Sequence, residues 1–273
     1  MRFYPFVFNG KEKDYESGFH YYGARYHWSE VLTGWLSVDP LADKYPNISP
    51  YNYCMWNPIK LADPNGEKPR LFFHGEKSKS TFVNIVNSGL GKQFEANLTR
   101  NRNGSYTFDI IPTKSGGDVN KLNEHQRAFY DALRNCIDAK TKEGKELIYD
   151  IDVYYAAKDV HTGNYIKNAI DVADMNQFNE LNDGGATKQG KLIHEFEEQR
   201  MKAYMGNAKG EDMGYKFCHK SAIVAENKVN GNRRDSYDRG LGRQTHEETF
   251  TLPNGEKHHV KVSTSTAIIT VTQ

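Results

Sequence analysis

A run of X-Pro steps closes the first quarter of the chain to helix. Asp39-Pro40, Tyr45-Pro46, Ser49-Pro50, Asn57-Pro58 and Asp63-Pro64 follow one another every few residues. Each pushes the residue before proline out of the helical region. Of the nine prolines, only Pro112 and Pro253 lie beyond Pro69. The same stretch carries Tyr21, Tyr22, Tyr26, Trp28 and Trp35 among Gly18, Gly23 and Gly34, and opens on Val7-Phe8 before the hairpin signal Asn9-Gly10. A segment so short and so broken has little capacity to bury its own aromatics and needs something larger to pack against. The chain therefore reads as two unlike pieces: a β- and turn-rich segment over residues 1–68 and a separate domain over residues 69–273.

Composition narrows the function classes. With Lys+Arg 36 against Asp+Glu 35, the net charge of +1 supplies no basic field for holding nucleic acid. Cys54, Cys136 and Cys218 are odd in number and widely spaced, which argues against a disulfide framework and a cysteine zinc knuckle. No apolar run approaches the ~20 residues of a membrane span, and the N-terminus lacks the shape of a signal peptide.

The second piece has mixed α+β patterning. Strand-like stretches are expected at Tyr106–Ile111, Glu146–Ala156 and around Ala169–Val172. Lys121 to Lys142 reads as an amphipathic helix, with Phe129, Leu133 and Ile137 at four-residue spacing. Asn182-Asp183-Gly184-Gly185 reads as a loop before helices from Thr187 to Met205 and from Tyr215 to Val229. In the tail, Glu248–Leu252 and Lys257–Val262 flank the hairpin signal Pro253-Asn254-Gly255, and Thr264–Thr272 adds a strand.

The chemistry concentrates in Leu192–Tyr204. His194 and Glu198 are one helical turn apart on one face, in a stripe that continues to Met201 and Met205. Sharing a stripe with two methionines turns them inward, where a divalent metal is an economical partner. Glu195 follows His194 as the general base does in H-E-x-x-H hydrolases, with Glu198 in place of the second histidine. The next helix offers His219, at the edge of a stripe of Cys218, Ala222, Ala225 and Val229. His194, Glu198 and His219 form a His₂Glu set, a composition of catalytic zinc that leaves one position for water; Glu195 would take that water's proton. For Glu226, pairing with Arg233 or Arg234 ranks ahead of ligation. Tyr204, Tyr215 and Tyr237 are candidates for polarising a carbonyl or for aromatic packing. His161, His246, His258 and His259 have no partner at ligand spacing. The same helix also fits a solvated charge cluster.

Two resemblances bear on these residues. GARY, SVDPLADKYP and NPI followed by DPNG, in that order, resemble the RHS repeat-associated core, the last unit of RHS/YD-repeat proteins that enclose a toxic C-terminal payload in a β-shell. The resemblance implies an effector beginning where the composition changes, delivery by a bacterial secretion system, and a cognate immunity protein and the RHS shell as partners. In such proteins an aspartate at the junction assists self-cleavage. Asp63 stands at the matching position, Glu67 replaces the leucine of cleaving versions, and Asp63 also fits a turn residue before Pro64. The region from Ile170 to Tyr237 resembles the zincin-like metallopeptidases found at the ends of such toxins. That implies Zn2+ as cofactor and a protein or peptide substrate paired with an edge strand, assigned to Ile170–Met175. A metal-dependent nuclease and a non-enzymatic binding module are the rival readings; neither a nucleic-acid nor a membrane partner is expected.

Overall fold

The computed structural model describes residues 17, 19–21, 26–27, 36, 69–181, 185–207, 209–235, 239–242, 245–264 and 269–272. The chain divides into two compact units, Met1–Gly66 and Glu67–Gln273. In the first, β1 (His20–Tyr21) pairs antiparallel with β2 (Tyr26–His27). The Asn9-Gly10 turn, Cys54, the X-Pro run and Asp63 lie outside the described residues, as do Asn182–Gly184 and Tyr237.

The second unit is mixed α+β. In chain order its elements are β3 (Arg70–Phe73), α1 (Glu76–Ser88), β4 (Phe94–Arg100), β5 (Tyr106–Pro112), α2 (Glu124–Ile137), β6 (Asp150–Tyr154), β7 (Gly163–Asn164), β8 (Ala169–Asp171), α3 (Val172–Met175), α4 (Lys188–Tyr204), α5 (Tyr215–Asn230), β9 (Arg233–Arg234), β10 (Arg239–Gly242), β11 (Thr245–Thr251), β12 (Lys257–Ser263) and β13 (Thr270–Thr272). Six strands form one sheet in the order β4-β5-β3-β6-β8-β7, parallel at β3/β6 and β6/β8 and antiparallel elsewhere. The last five form a second, antiparallel sheet, ordered β10-β11-β12-β13 with β9 paired to β11. Among the described residues no helix is long and apolar enough to cross a membrane.

The elements follow local chemistry. α2 starts later than its apolar period suggests, because Asn123 and Gln126 close a reciprocal capping box. Its Phe129, Leu133 and Ile137 are buried as spaced. The second hairpin turns where Pro253-Asn254-Gly255 requires, with Thr251 opposite Lys257. Asp171 ends β8 by accepting the amides of Ala173 and Asp174, which starts α3. This overturns one expectation. Ile170–Met175 is not an edge strand: its strand part lies inside the sheet between β6 and β7, and the edge is β7.

The main core joins Leu71, Phe82, Phe108, Phe129, Ile151 and Phe196 between the large sheet and α1, α2 and α4. A smaller core of Phe178, Phe250, Val260, Val262 and Ile269 lies under the second sheet. Phe129 is wholly buried and so close to Gly89 that a Cβ there would stand 2.6 Å from its ring. Phe129→Ala is expected to lower the unfolding free energy by about 3–5 kcal/mol, read from the denaturant midpoint; a loss below about 1 kcal/mol would show that this interface relaxes freely.

Candidate metal centre

α4 is buried almost all round from Gln189 to Gln199. Thr187 begins it: its Oγ1 accepts the Gly190 amide at 3.0 Å and donates to Asn230 Oδ1 at 2.6 Å. Asn230 ends α5, so the cap of one helix is tied to the terminus of the other. Gly190 permits the close crossing, since a Cβ there would meet Asn230 Oδ1 at 2.3 Å. α5 ends at Gly231, in the left-handed region at φ 65°.

This crossing brings the expected ligand set together. His194 Nε2 stands 3.2 Å from His219 Nδ1 and 3.3 Å from Glu198 Oε1, and His219 Nδ1 stands 2.7 Å from Glu198 Oε1. These three residues form the group able to hold a metal among the described residues. Donor atoms around a tetrahedral zinc stand roughly 3.3–3.6 Å apart. Two edges of the triangle approach that spacing, and the third is drawn in by the His219–Glu198 hydrogen bond. The set fits zinc in donor chemistry and in reach.

Glu226 does not join the triangle. Its Oε2 accepts from His194 Nδ1 at 2.9 Å, which fixes the tautomer and leaves Nε2 for the cluster. The expected pairing with Arg234 is also present, at 2.9 Å, and Lys191 Nζ lies 3.1 Å from Oε1. Both cations also meet Glu248, Lys191 at 2.6 Å and Arg234 at 3.1 Å. Two anions and two cations thus alternate in a buried ring that joins α4, α5, β9 and β11.

Electrostatics separate the two glutamates of the motif. Burial and the neighbouring Glu198 charge push Glu195 up to about 8. For Glu198, burial acts upward, but hydrogen bonds from His194 and His219 bring it down to about 2. Burial opposes charge on His194, and its bonds to Glu198 and Glu226 outweigh this, raising it to about 10. The cluster attracts positive charge at the point where three donors converge. Glu195 stays outside the triangle, and one carboxylate oxygen accepts from Thr162 Oγ1 at 3.3 Å.

No known protein family, curated protein or solved structure matches the chain.

The triangle, Glu195 and the His161–Gly163 turn line one cavity of about 190 Å³, with Tyr215 and His246 also in its wall. A Cβ at Gly163 would stand 1.7 Å from Glu195 Oε2, so any side chain there would displace this carboxylate. Thr162 is held at φ 49°, a conformation that costs a β-branched residue about 1–3 kcal/mol. A larger groove of about 940 Å³ runs between α2, α4 and α5, on residues such as Glu197 and Arg200, and excludes the triangle.

The other candidates divide. Tyr215 reaches His219 Nδ1 at 3.5 Å, whereas Tyr204 is exposed beneath Lys142. His161 and His246 have places at the cavity, which spacing alone did not reveal; His258 and His259 lie half-exposed on β12. The methionine stripe is a correction: Met201 is half-buried and Met205, at the helix C-cap, is 40% exposed. His194 and Glu198 face inward because α5 covers them.

Two outcomes test this arrangement. Glu226→Gln is expected to weaken zinc binding about 10–100-fold in a chelator-competition titration; unchanged affinity would mean that Nδ1 is oriented by another group. Glu248 is buried, yet the Arg234 and Lys191 charges hold its carboxyl well below the usual range. A depressed folded pKa gives stability that is present above the unfolded pKa of about 4.3 and lost as pH falls. Glu248→Gln is therefore expected to cost about 3–5 kcal/mol near neutral pH and to flatten the fall in stability as pH drops below about 4.3. An unflattened slope in urea titrations would show that Glu248 does not carry this acid sensitivity.

Proposed function

We propose that this chain is the effector end of an RHS-repeat toxin and that its second unit is a zinc-dependent metallopeptidase of zincin-like character. The observation that carries the peptidase reading is the placement of His194, Glu198 and His219 as one triangle, beside a separate buried carboxylate, Glu195, in one cavity. His194 Nε2, Glu198 Oε1 and His219 Nδ1 would hold the metal. Zinc in such a set supplies Lewis-acid polarisation and an acidified water.

The chain's own residues supply the rest. Glu226 keeps the proton of His194 on Nδ1. Glu198 contributes one negative charge, so the donor set stays short of neutralising a dication. Glu195, raised towards neutrality by burial, accepts the proton of the attacking water and returns it to the leaving nitrogen. Thr162 and Gly163 fix its carboxylate against the cavity wall. The toxin context rests on the GARY, SVDPLADKYP and DPNG blocks of the first piece. On that reading the payload is delivered by a bacterial secretion system into a competitor or host, and an immunity protein protects the producer.

The test is cleavage of a mixed-sequence quenched peptide library by the zinc-loaded chain, beside Glu195→Gln. The variant is expected to retain zinc and lose about 10²–10⁴-fold in turnover. Library cleavage that persists in the variant would remove Glu195 from the reaction. Degradation of DNA or RNA in place of peptide would move the activity to the nuclease class.

A further inference from the structure

The outward face of α5 carries apolar surface that the fold leaves uncovered. Among the described residues the most exposed large apolar side chains are Met213, just before the helix, Phe217 and Val224, at 67%, 58% and 53% exposure. Phe217 and Val224 are seven residues apart and so share one face of the helix. Lys216 and Lys220 are exposed on one side of that pair and Lys228 on the other. At 100° per residue, these five helical side chains fall within an arc of roughly 120°. Among the described residues none of the three lysines forms an ion pair. The one acid of α5, Glu226, points the other way and is wholly buried. The face is therefore apolar along its centre and cationic at its margins.

This face is continuous with the groove and with the cavity. Val224 and Lys228 line the groove of about 940 Å³ between α2, α4 and α5. At the other end of the helix, Tyr215 is 43% exposed, lines the cavity of the donor triangle and stacks on His219 at 5.2 Å. The apolar rim is pinned in place, since the Met213 carbonyl accepts from Tyr165 Oη at 2.9 Å and from Asn207 Nδ2 at 2.7 Å. Apolar surface held on a rigid element costs little to order on binding. Charge then selects the occupant. A helix lying along α5 would meet three lysines there, while Glu124 and Asp131 line the α2 wall of the groove. Its acidic edge therefore belongs on α5.

We infer that the outer face of α5 is a docking surface for an amphipathic, acidic helix of the protein substrate. The apolar stripe of that helix covers Met213, Phe217 and Val224, and its carboxylates meet Lys216, Lys220 and Lys228. This role rests on the peptidase reading and names the substrate class: a protein carrying such a helix beside an extended stretch that enters the cavity past Tyr215. Helix-in-groove recognition uses anchors at i, i+3, i+4 and i+7, the spacing that Phe217, Lys220 and Val224 offer. The charges set orientation and the rate of encounter, and the apolar contacts set the lifetime. Holding the substrate at a second point raises the local concentration of the scissile stretch, so docking acts on KM and not on kcat.

The experiment uses the zinc-loaded full chain and a dye-labelled synthetic helix, with Leu at i, i+4 and i+7 and Glu on either side, read by fluorescence anisotropy. The same helix with Lys in place of Glu, and phosphatidylglycerol vesicles, are run beside it. The acidic helix is expected to bind. Phe217→Ser and the combined reversal Lys216→Glu, Lys220→Glu and Lys228→Glu should each weaken binding about tenfold or more. Fusing the helix to the quenched peptide library should lower KM about tenfold in wild type and not in the reversal, with kcat and cleavage of the unfused library unchanged. No binding, equal binding of the Lys-bearing helix, or binding that survives the reversal overturns the proposal. Vesicle binding in place of the helix makes the face a lipid surface, and a dimer that Phe217→Ser dissolves gives it to a second copy; either overturns the substrate role. If Phe217→Ser misfolds, the reversal, which alters exposed side chains alone, carries the test. Lysine-dependent helix binding by a chain that cleaves no peptide overturns the peptidase reading, and the substrate role with it, while the binding surface stands.

Discussion

Glu226 is the carboxylate on which the arrangement of this domain turns. It is wholly buried, and three positively polarised groups converge on it: His194 Nδ1, Lys191 and Arg234. A lone buried carboxylate would be costly, since burial drives it towards its neutral form. The Lys191 and Arg234 charges reverse that tendency and hold it well below the usual range. With Glu248 the ring is charge-neutral, so its value lies less in net stability than in position, since apolar residues of the same volume can stabilise a core equally well. What apolar residues could not do is hold one proton of His194 on Nδ1. The ligand character of Nε2 depends on that constraint, and it ties the second sheet to the crossing of α4 and α5.

The two glutamates that neighbour His194 on α4 show how one helix sustains opposite chemistries. Glu198 is approached by His194 and His219 and is held ionised; Glu195, one residue after His194, faces the strained turn and burial raises it. Three positions along a helix leave two side chains roughly 60° apart and most of a turn displaced along the axis, which is enough to aim Glu198 at the two histidines and Glu195 at the β7 edge. Close packing then sharpens the distinction. Gly163 leaves room for the Glu195 carboxylate where any side chain would expel it, and Thr162 supplies a single hydroxyl, not a charge.

Local signals in the sequence were enough for the pieces that local physics determines. The four-residue apolar spacing of α2, the Pro253-Asn254-Gly255 hairpin and the helical turn joining His194 to Glu198 all depend on neighbours within a few residues. Convergence of His219 on that turn was also legible, because a second helix with a His beside its apolar stripe has few ways to pack. The edge strand was not. Asp171 looks like the middle of Ile170–Met175 in sequence, but its carboxylate caps α3 and ends the strand, and the two-residue β7 is too short to carry an alternation signal. His194 and Glu198 face inward without help from the methionine stripe, since their cover comes from α5 and Met205 is exposed. Lys191 and Glu248 lie 57 residues apart, beyond any periodicity, although Glu248 shares the inward parity of Phe250 on β11. An inward charge on an alternating strand was the available sign that a buried partner existed.

The second sheet, which on chain order alone resembles an appendage, reaches the cavity from two directions. β11 delivers Glu248 to the ring behind His194, and His246 to the cavity wall. The segment before β13 delivers the Ile269 amide to Asp174, beneath the His161–Gly163 turn. One contact governs the electrostatics behind the donor triangle; the other sets the wall that faces it. Its small core of Phe178, Phe250, Val260, Val262 and Ile269 is what fixes both deliveries, because Phe178 belongs to the segment leading into α4. Apolar packing far from the donor atoms therefore determines how Glu226 presents His194 and how Asp174 sits beneath the facing turn. A fold of this kind couples stability to site geometry more tightly than a loop-borne site would, since loosening the small core disturbs both walls at once.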